Sequence, residues 1–156
     1  MSESFDEAMD TLEREADEPE RYCEAFLSVF PIEGAAVSTI GQVLGSETLA
    51  ASDPIAARLD ELQFDLGEGP CWDAMRSAYP VLVPIIRSTG PARWPAFTER
   101  VVRDGVSSVF AGMTPSRFWF AKICSRIAFQ PMSNLPLNLS IHSWVGWCGA
   151  CAPPGA

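Results

Sequence analysis

The alternation of apolar and polar positions divides the chain into short, clearly punctuated elements. Phe5, Met9 and Leu12 recur at i, i+4 and i+7, and after the Asp17-Glu18-Pro19 break Tyr22, Phe26 and Val29 repeat the spacing. That period predicts two helices, each with one apolar face, the second opened by Pro19 and closed by Pro31. GAAVSTIG (34–41) and ETLAAS (47–52) predict two strands joined by a turn at Gly45. Asp53-Pro54 predicts a helix start, because the carboxylate can cap free amides and the proline has no amide to lose. Ile55, Leu59 and Leu62 give that helix its apolar face. After Gly67 and Gly69, Pro70 opens a short helix with Trp72 and Met75 directed inward. PVLVPII (80–86) predicts a third strand near an edge, since Pro84 cannot donate to a ladder. Trp94, Phe97 and Val101 mark a further helix stopped by Gly105, and VSSVFAGM (106–113) a fourth strand. The interleaving of helices and strands predicts an α/β or α+β sandwich.

Composition changes this picture mainly at the C-terminal end. With 156 residues, 47% hydrophobic and 20% charged, the chain has the makeup of one globular domain. No apolar run is long enough to span a membrane, and the acidic N-terminus lacks the order of a signal peptide. A cytoplasmic protein with reduced cysteines is expected. The net charge is −9, yet all 20 acidic residues lie at or before Asp104, and only Arg117, Lys122 and Arg126 carry charge beyond it. An acidic body with three scattered bases excludes direct binding of DNA or RNA. From Ile127 to Ala156 there is no Asp, Glu, Lys or Arg, although Trp144, Trp147, Cys148 and Cys151 fall there. A domain surface is about a quarter charged, so this tail reads as foreign to the domain before it.

The stretch LGEGPCWDA (66–74) carries the most suggestive chemistry. It lacks the Gly-Lys-Ser/Thr of a Walker loop, and Trp72 stands where the dinucleotide fingerprint needs its third glycine. Cys71 falls in the first turn of a helix, a setting that favours a thiolate. Asp73 and Glu68 oppose that anion, and His142 is distant in sequence, so a small buried cysteine packing under the turn is the stronger reading. Trp147-Cys148-Gly149-Ala150-Cys151 matches a thioredoxin-like pattern, but the five residues that follow cannot form the helix its chemistry needs. Cys124, His142, Cys148 and Cys151 can be counted as zinc ligands, a weak pattern with one CxxC pair and two remote partners. No metal site and no catalytic residue is therefore expected.

The run LAASDPIAARLDELQFDLGEGPCWDAMRSAYPVLVP, followed by RWPAFTERVVRDGVSSVFAGM, closely resembles GAF domains of actinobacteria over roughly residues 20–123. In that group the GAF domain is commonly followed by a small helical RNA-binding module called ANTAR. The resemblance implies a central antiparallel sheet flanked by helices, a pocket on one sheet face, and dimerisation through terminal helices. GAF domains bind cyclic nucleotides, tetrapyrroles or other small molecules, or serve only as dimerisation and signalling modules; which ligand or cofactor applies here the residues do not identify. One branch reduces free methionine sulfoxide and resembles this chain in a cysteine at the position of Cys71, but it needs another in the loop before the fourth strand, and residues 84–108 contain none.

These readings give definite expectations. The chain is a non-catalytic sensory or regulatory module, with a cysteine-dependent redox enzyme using Cys71 as the rival. A ligand site is lined by Phe64, Cys71, Trp72 and Phe110, or those residues form a solid core. The chain forms a homodimer through Tyr22, Cys23, Phe26 and Phe30, unless that helix packs on its own sheet. After Ile123 the sequence departs from the GAF pattern, as a reading-frame change near codons 115–123 would produce. Residues 124–156 then form a poorly ordered tail that supplies neither the fifth and sixth strands nor the closing helix of that pattern, and the sheet is left with an unpaired edge.

Overall fold

The structure, a computed structural model, describes residues 18–29, 32–40, 45–113 and 120–125. The expected helix around Phe5 and the tail from 126 onward lie outside the described residues. Among the described residues five strands form one antiparallel sheet: β1 (Gly34–Thr39), β2 (Glu47–Ala51), β3 (Val81–Val83), β4 (Ser108–Met113) and β5 (Phe120–Ser125), in the order β2-β1-β5-β4-β3. Five helices accompany them among the described residues: α1 (Pro19–Val29), α2 (Pro54–Leu66), α3 (Pro70–Ser77), α4 (Ile86–Arg93) and α5 (Pro95–Arg103). The architecture is α+β, as the interleaved pattern predicts.

β1 shows how the sheet is covered on both sides. Gly34 lies against Asp53 and Ala56 of the α2 start, and the Ser38 hydroxyl reaches Asp60 of α2. Side chains alternate along a strand, so the fully buried Ala35 and Val37 face the opposite side, where α1 packs on β1 and β2. Cys23 and Phe26 of α1 are buried. The helix therefore packs on its own sheet, and these two residues are not the exposed apolar surface on which the expected dimer contact was argued. Asp53 caps α2, accepting from the amides of Ile55 (2.8 Å) and Ala56 (3.1 Å).

The main core lies between α2, α4, α5 and the β3–β4 end of the sheet. Leu59, Leu62, Val83, Ile86, Trp94, Phe97, Val101, Val106 and Val109 are all buried there. Trp94 and Phe97 meet edge to face with centroids 6.4 Å apart.

Two expectations need correction. The stretch 80–86 is a strand only over Val81–Val83, because Pro84 ends the ladder and Ile86 begins α4. α4 escapes the hydrophobic pattern because Gly90-Pro91 reads as a breaker, whereas the helix passes through Pro91 and closes with the Trp94 amide on the Gly90 carbonyl (2.7 Å). Among the described residues β3 is an edge strand, as the proline implies. The second correction concerns the fifth strand. β5 runs to Ser125 and occupies the centre of the sheet, with Cys124 opposite Gly34 on one side and Val109 on the other. Among the described residues the sheet edges are β2 and β3.

Candidate functional site

LGEGPCWDA forms the junction between α2 and α3, and its peculiarities are explained by two helix starts that lack caps of their own. Gly67 ends α2 at φ 63 and Gly69 precedes α3 at φ 129, conformations that side chains rarely adopt. A Cβ on Gly69 would also overlap the side chain of Gln63. Gly69 has no side chain with which to cap α3, so Gln63, a turn back in α2, supplies the acceptor: its Oε1 takes the Cys71 amide (2.9 Å). The Gln63 Nε2 donates to the Leu59 carbonyl (3.4 Å), and the Trp72 indole N–H donates to the Gln63 carbonyl (2.6 Å). Glu68 does the same service for α5. The residue before Pro95 is Trp94, which cannot cap, and Glu68 Oε2 accepts from the Ala96 (3.0 Å) and Phe97 (3.2 Å) amides. These are the second and third helical positions, whose amides a capping side chain ordinarily satisfies.

Beneath this junction lies a second, smaller cluster, which shares Val81 with the main core. Its buried members are Ile40, Cys71, Ala74 and Ala111, and against them pack four partly buried side chains, Phe64, Trp72, Met75 and Val81. Three of the four buried members are small, and the larger Phe64, Trp72 and Met75 pack against them partly exposed. Cys71 and Ala74 are the fully buried side of α3, and Trp72 and Met75, expected to face inward, pack partly buried against the same cluster. Arg76 lies over the Trp72 ring at 6.0 Å and pairs with Asp73 (3.3 Å), which also holds Arg93 of α4 (2.7 Å).

Of the four residues expected to line a site, three come together. Phe64, Cys71 and Trp72 share this cluster. Phe110 does not join them. Val109 and Ala111 pack on the helix-covered side, so alternation along β4 turns Phe110 to the other face, in register with Leu82 of β3. Strand periodicity was legible in VSSVFAGM, but which phase faced the helices was not. Sequence reasoning also missed Gln63 and Ile40; a polar residue at the helical spacing of Leu59 and Leu62 was the available signal for Gln63.

A separate polar cluster links α2 to the first hairpin. Asp60 is buried and accepts from the hydroxyls of Ser38 (3.3 Å) and Thr48 (2.8 Å). Cys23 is buried as well, and its thiol is pushed up to about 12 by burial first and then by the negative charges of Glu20, Asp60 and Glu24. Among the described residues no three His, Cys, Asp or Glu side chains are grouped to hold a metal ion, and His142, Cys148 and Cys151 of the weak zinc pattern lie outside them. No helix among the described residues is long and apolar enough to cross a membrane.

No protein-family model matches the chain, and no curated protein matches it. Among solved structures it is similar to the GAF domain region of a protein from Geobacter sulfurreducens PCA, with a TM-score of 0.56 and 16% identity over 85% of this chain and 88% of that one. The likeness is one of fold: a GAF-like antiparallel sheet flanked by helices.

Proposed function

We propose that this GAF-fold chain is a non-catalytic sensory or regulatory module that binds a small molecule under α3. It would work as a cytoplasmic homodimer of the kind coupled to antitermination by the actinobacterial GAF/ANTAR proteins it resembles. The observation that carries the reading is the makeup of the second cluster: two aromatic rings and a thioether, Phe64, Trp72 and Met75, stay partly exposed where they pack against Ile40, Cys71, Ala74 and Ala111. Ligand sites are mostly apolar concavities with few polar anchors. A ligand there would touch α3 directly and, through Glu68 and Gln63, bear on α2 and α5, so that its differential affinity for two arrangements could shift them. The rival reading, a redox enzyme using Cys71, is less well supported because that thiol is fully buried among apolar groups, the setting of inert structural cysteines.

Hydrogen exchange tests the proposal. Haem, cyclic nucleotides, nucleobases and simple aromatic compounds are added in turn. The expected result is added protection in residues 67–77 with one of them, lost in Trp72→Ala. Protection confined to other segments contradicts a ligand at this position.

A further inference from the structure

We infer that the sheet face carrying Leu82 and Phe110 is a docking surface for the chain's own N-terminal segment, a helix that seats there through Phe5, Met9 and Leu12. Backbone register defines the face. Leu82 stands opposite Phe110, Phe110 opposite Ile123 and Ile123 opposite Ala35, so these positions form one row across β3, β4, β5 and β1. Residues directly opposite one another share a side of the sheet, and the side of Ala35 is the one on which α1 packs. Among the described helices α1 alone lies on that side, and it packs on β1 and β2. α2, α3 and α4 pack on the other side, and α5 packs on α2 and α4. Leu82 and Phe110, each partly buried, therefore stand at the β3–β4 end of a face that no described helix covers. Contiguous large apolar groups on one face mark a place where another element docks.

Residues 1–17 carry the complementary chemistry. Phe5, Ala8, Met9, Leu12 and Ala16 recur at i, i+3, i+4, i+7 and i+11, a single apolar stripe in helical projection, and all seven acidic residues of 1–17 fall outside it. A helix this short is marginal in water alone and takes its stability from burying such a stripe. The segment also ends in the right place. It runs directly into α1 at Pro19, on the same side of the sheet. Leu12 is seven residues before Pro19, an extended reach of about 23 Å, whereas β1 and β3 are three strand spacings apart, about 14 Å. The Asp17-Glu18-Pro19 break lets the chain turn between two helices laid side by side. A short tether holds the segment near the face at an effective concentration on the order of millimolar, which favours it over the same helix from a second copy in dilute solution.

The test is NMR of the full chain labelled at methionine, leucine and phenylalanine, with Met9 assigned by Met9→Leu. Nuclear Overhauser contacts are expected from the Met9 methyl to the Phe110 ring or the Leu82 methyls, with the Met9 resonance displaced from its coil position. Leu12→Asp, which alters no residue of the sheet or of α1 to α5, should abolish those contacts and return Met9 to its coil position, while Met75 of α3 stays where it was. Mixing chains labelled only at methionine with chains labelled only at leucine and phenylalanine separates the two sources of the helix. The contacts should vanish in the mixture; contacts that survive there come from a second copy and overturn the assignment to the chain's own segment. A Met9 resonance at its coil position in the natural chain, or contacts indifferent to Leu12→Asp, overturns the docking itself.

Discussion

At the scale of single residues the junction between α2 and α3 is tightly constrained. Gly69 combines φ 129 with direct apposition to the buried Gln63 side chain. Gly69→Ala meets both the backbone strain and the overlap, and should cost about 2–3 kcal/mol; urea denaturation checks it, and a loss below about 0.5 kcal/mol, ordinary for surface changes, would show the site to be permissive. Cys23 gives a prediction with a definite sign. Its thiol holds its proton to about 12 in the folded protein and has an ordinary value of 9.0 when unfolded. The folded state therefore binds the proton more tightly, and the stability tied to Cys23 is intact below pH 9 and declines between pH 9 and 12. The urea midpoint of the natural chain should fall between pH 8 and pH 10.5 by more than that of Cys23→Ala. Equal falls would show that the thiol is not held as described.

At the scale of elements, long-range capping replaces local capping. α5 begins after Trp94, which offers no acceptor, and depends on Glu68 from a loop 28 residues earlier. Glu68→Ala should cost roughly 1 kcal/mol and raise the exchange rates of the Ala96 and Phe97 amides above those of the rest of α5. Uniform change along the helix would point to general destabilisation instead. The elements differ in how well their sequences announced them. α2 was legible because Asp53-Pro54 and the Ile55, Leu59, Leu62 spacing are local signals, and β1, β2 and β4 because strand patterning and turn residues bracket them. α4 was hidden because Gly90-Pro91 argues against a helix that is nonetheless held by Ile86 in the core and by the Gly90–Trp94 bond. The site was legible in part for the same reason. Phe64, Cys71 and Trp72 stand on one local segment whose fold its own prolines and glycines dictate, whereas the face of Phe110 depends on β4 pairing with β3 and β5, a non-local fact.

At the scale of the whole molecule, the sheet order puts β5 between β1 and β4, so the latest described strand in the sequence is central to the fold. Truncation before Phe120 should therefore leave β1 and β4 unpaired with each other and abolish cooperative thermal unfolding; a retained sharp transition would contradict the topology. Self-association belongs to this scale too. Because Cys23 and Phe26 are buried on their own sheet, the dimer no longer rests on exposed surface there, and light scattering at micromolar concentration should still give twice the chain mass if the proposed arrangement is correct. The central claim is that the half-covered cluster under α3 receives a ligand. Its most direct test is methyl NMR of methionine-labelled protein, with Met75 assigned by Met75→Leu, during titration with indole. The account predicts a saturable ring-current shift of the Met75 methyl that disappears in Trp72→Ala, and a Met75 resonance that stays in place while other signals move would contradict it.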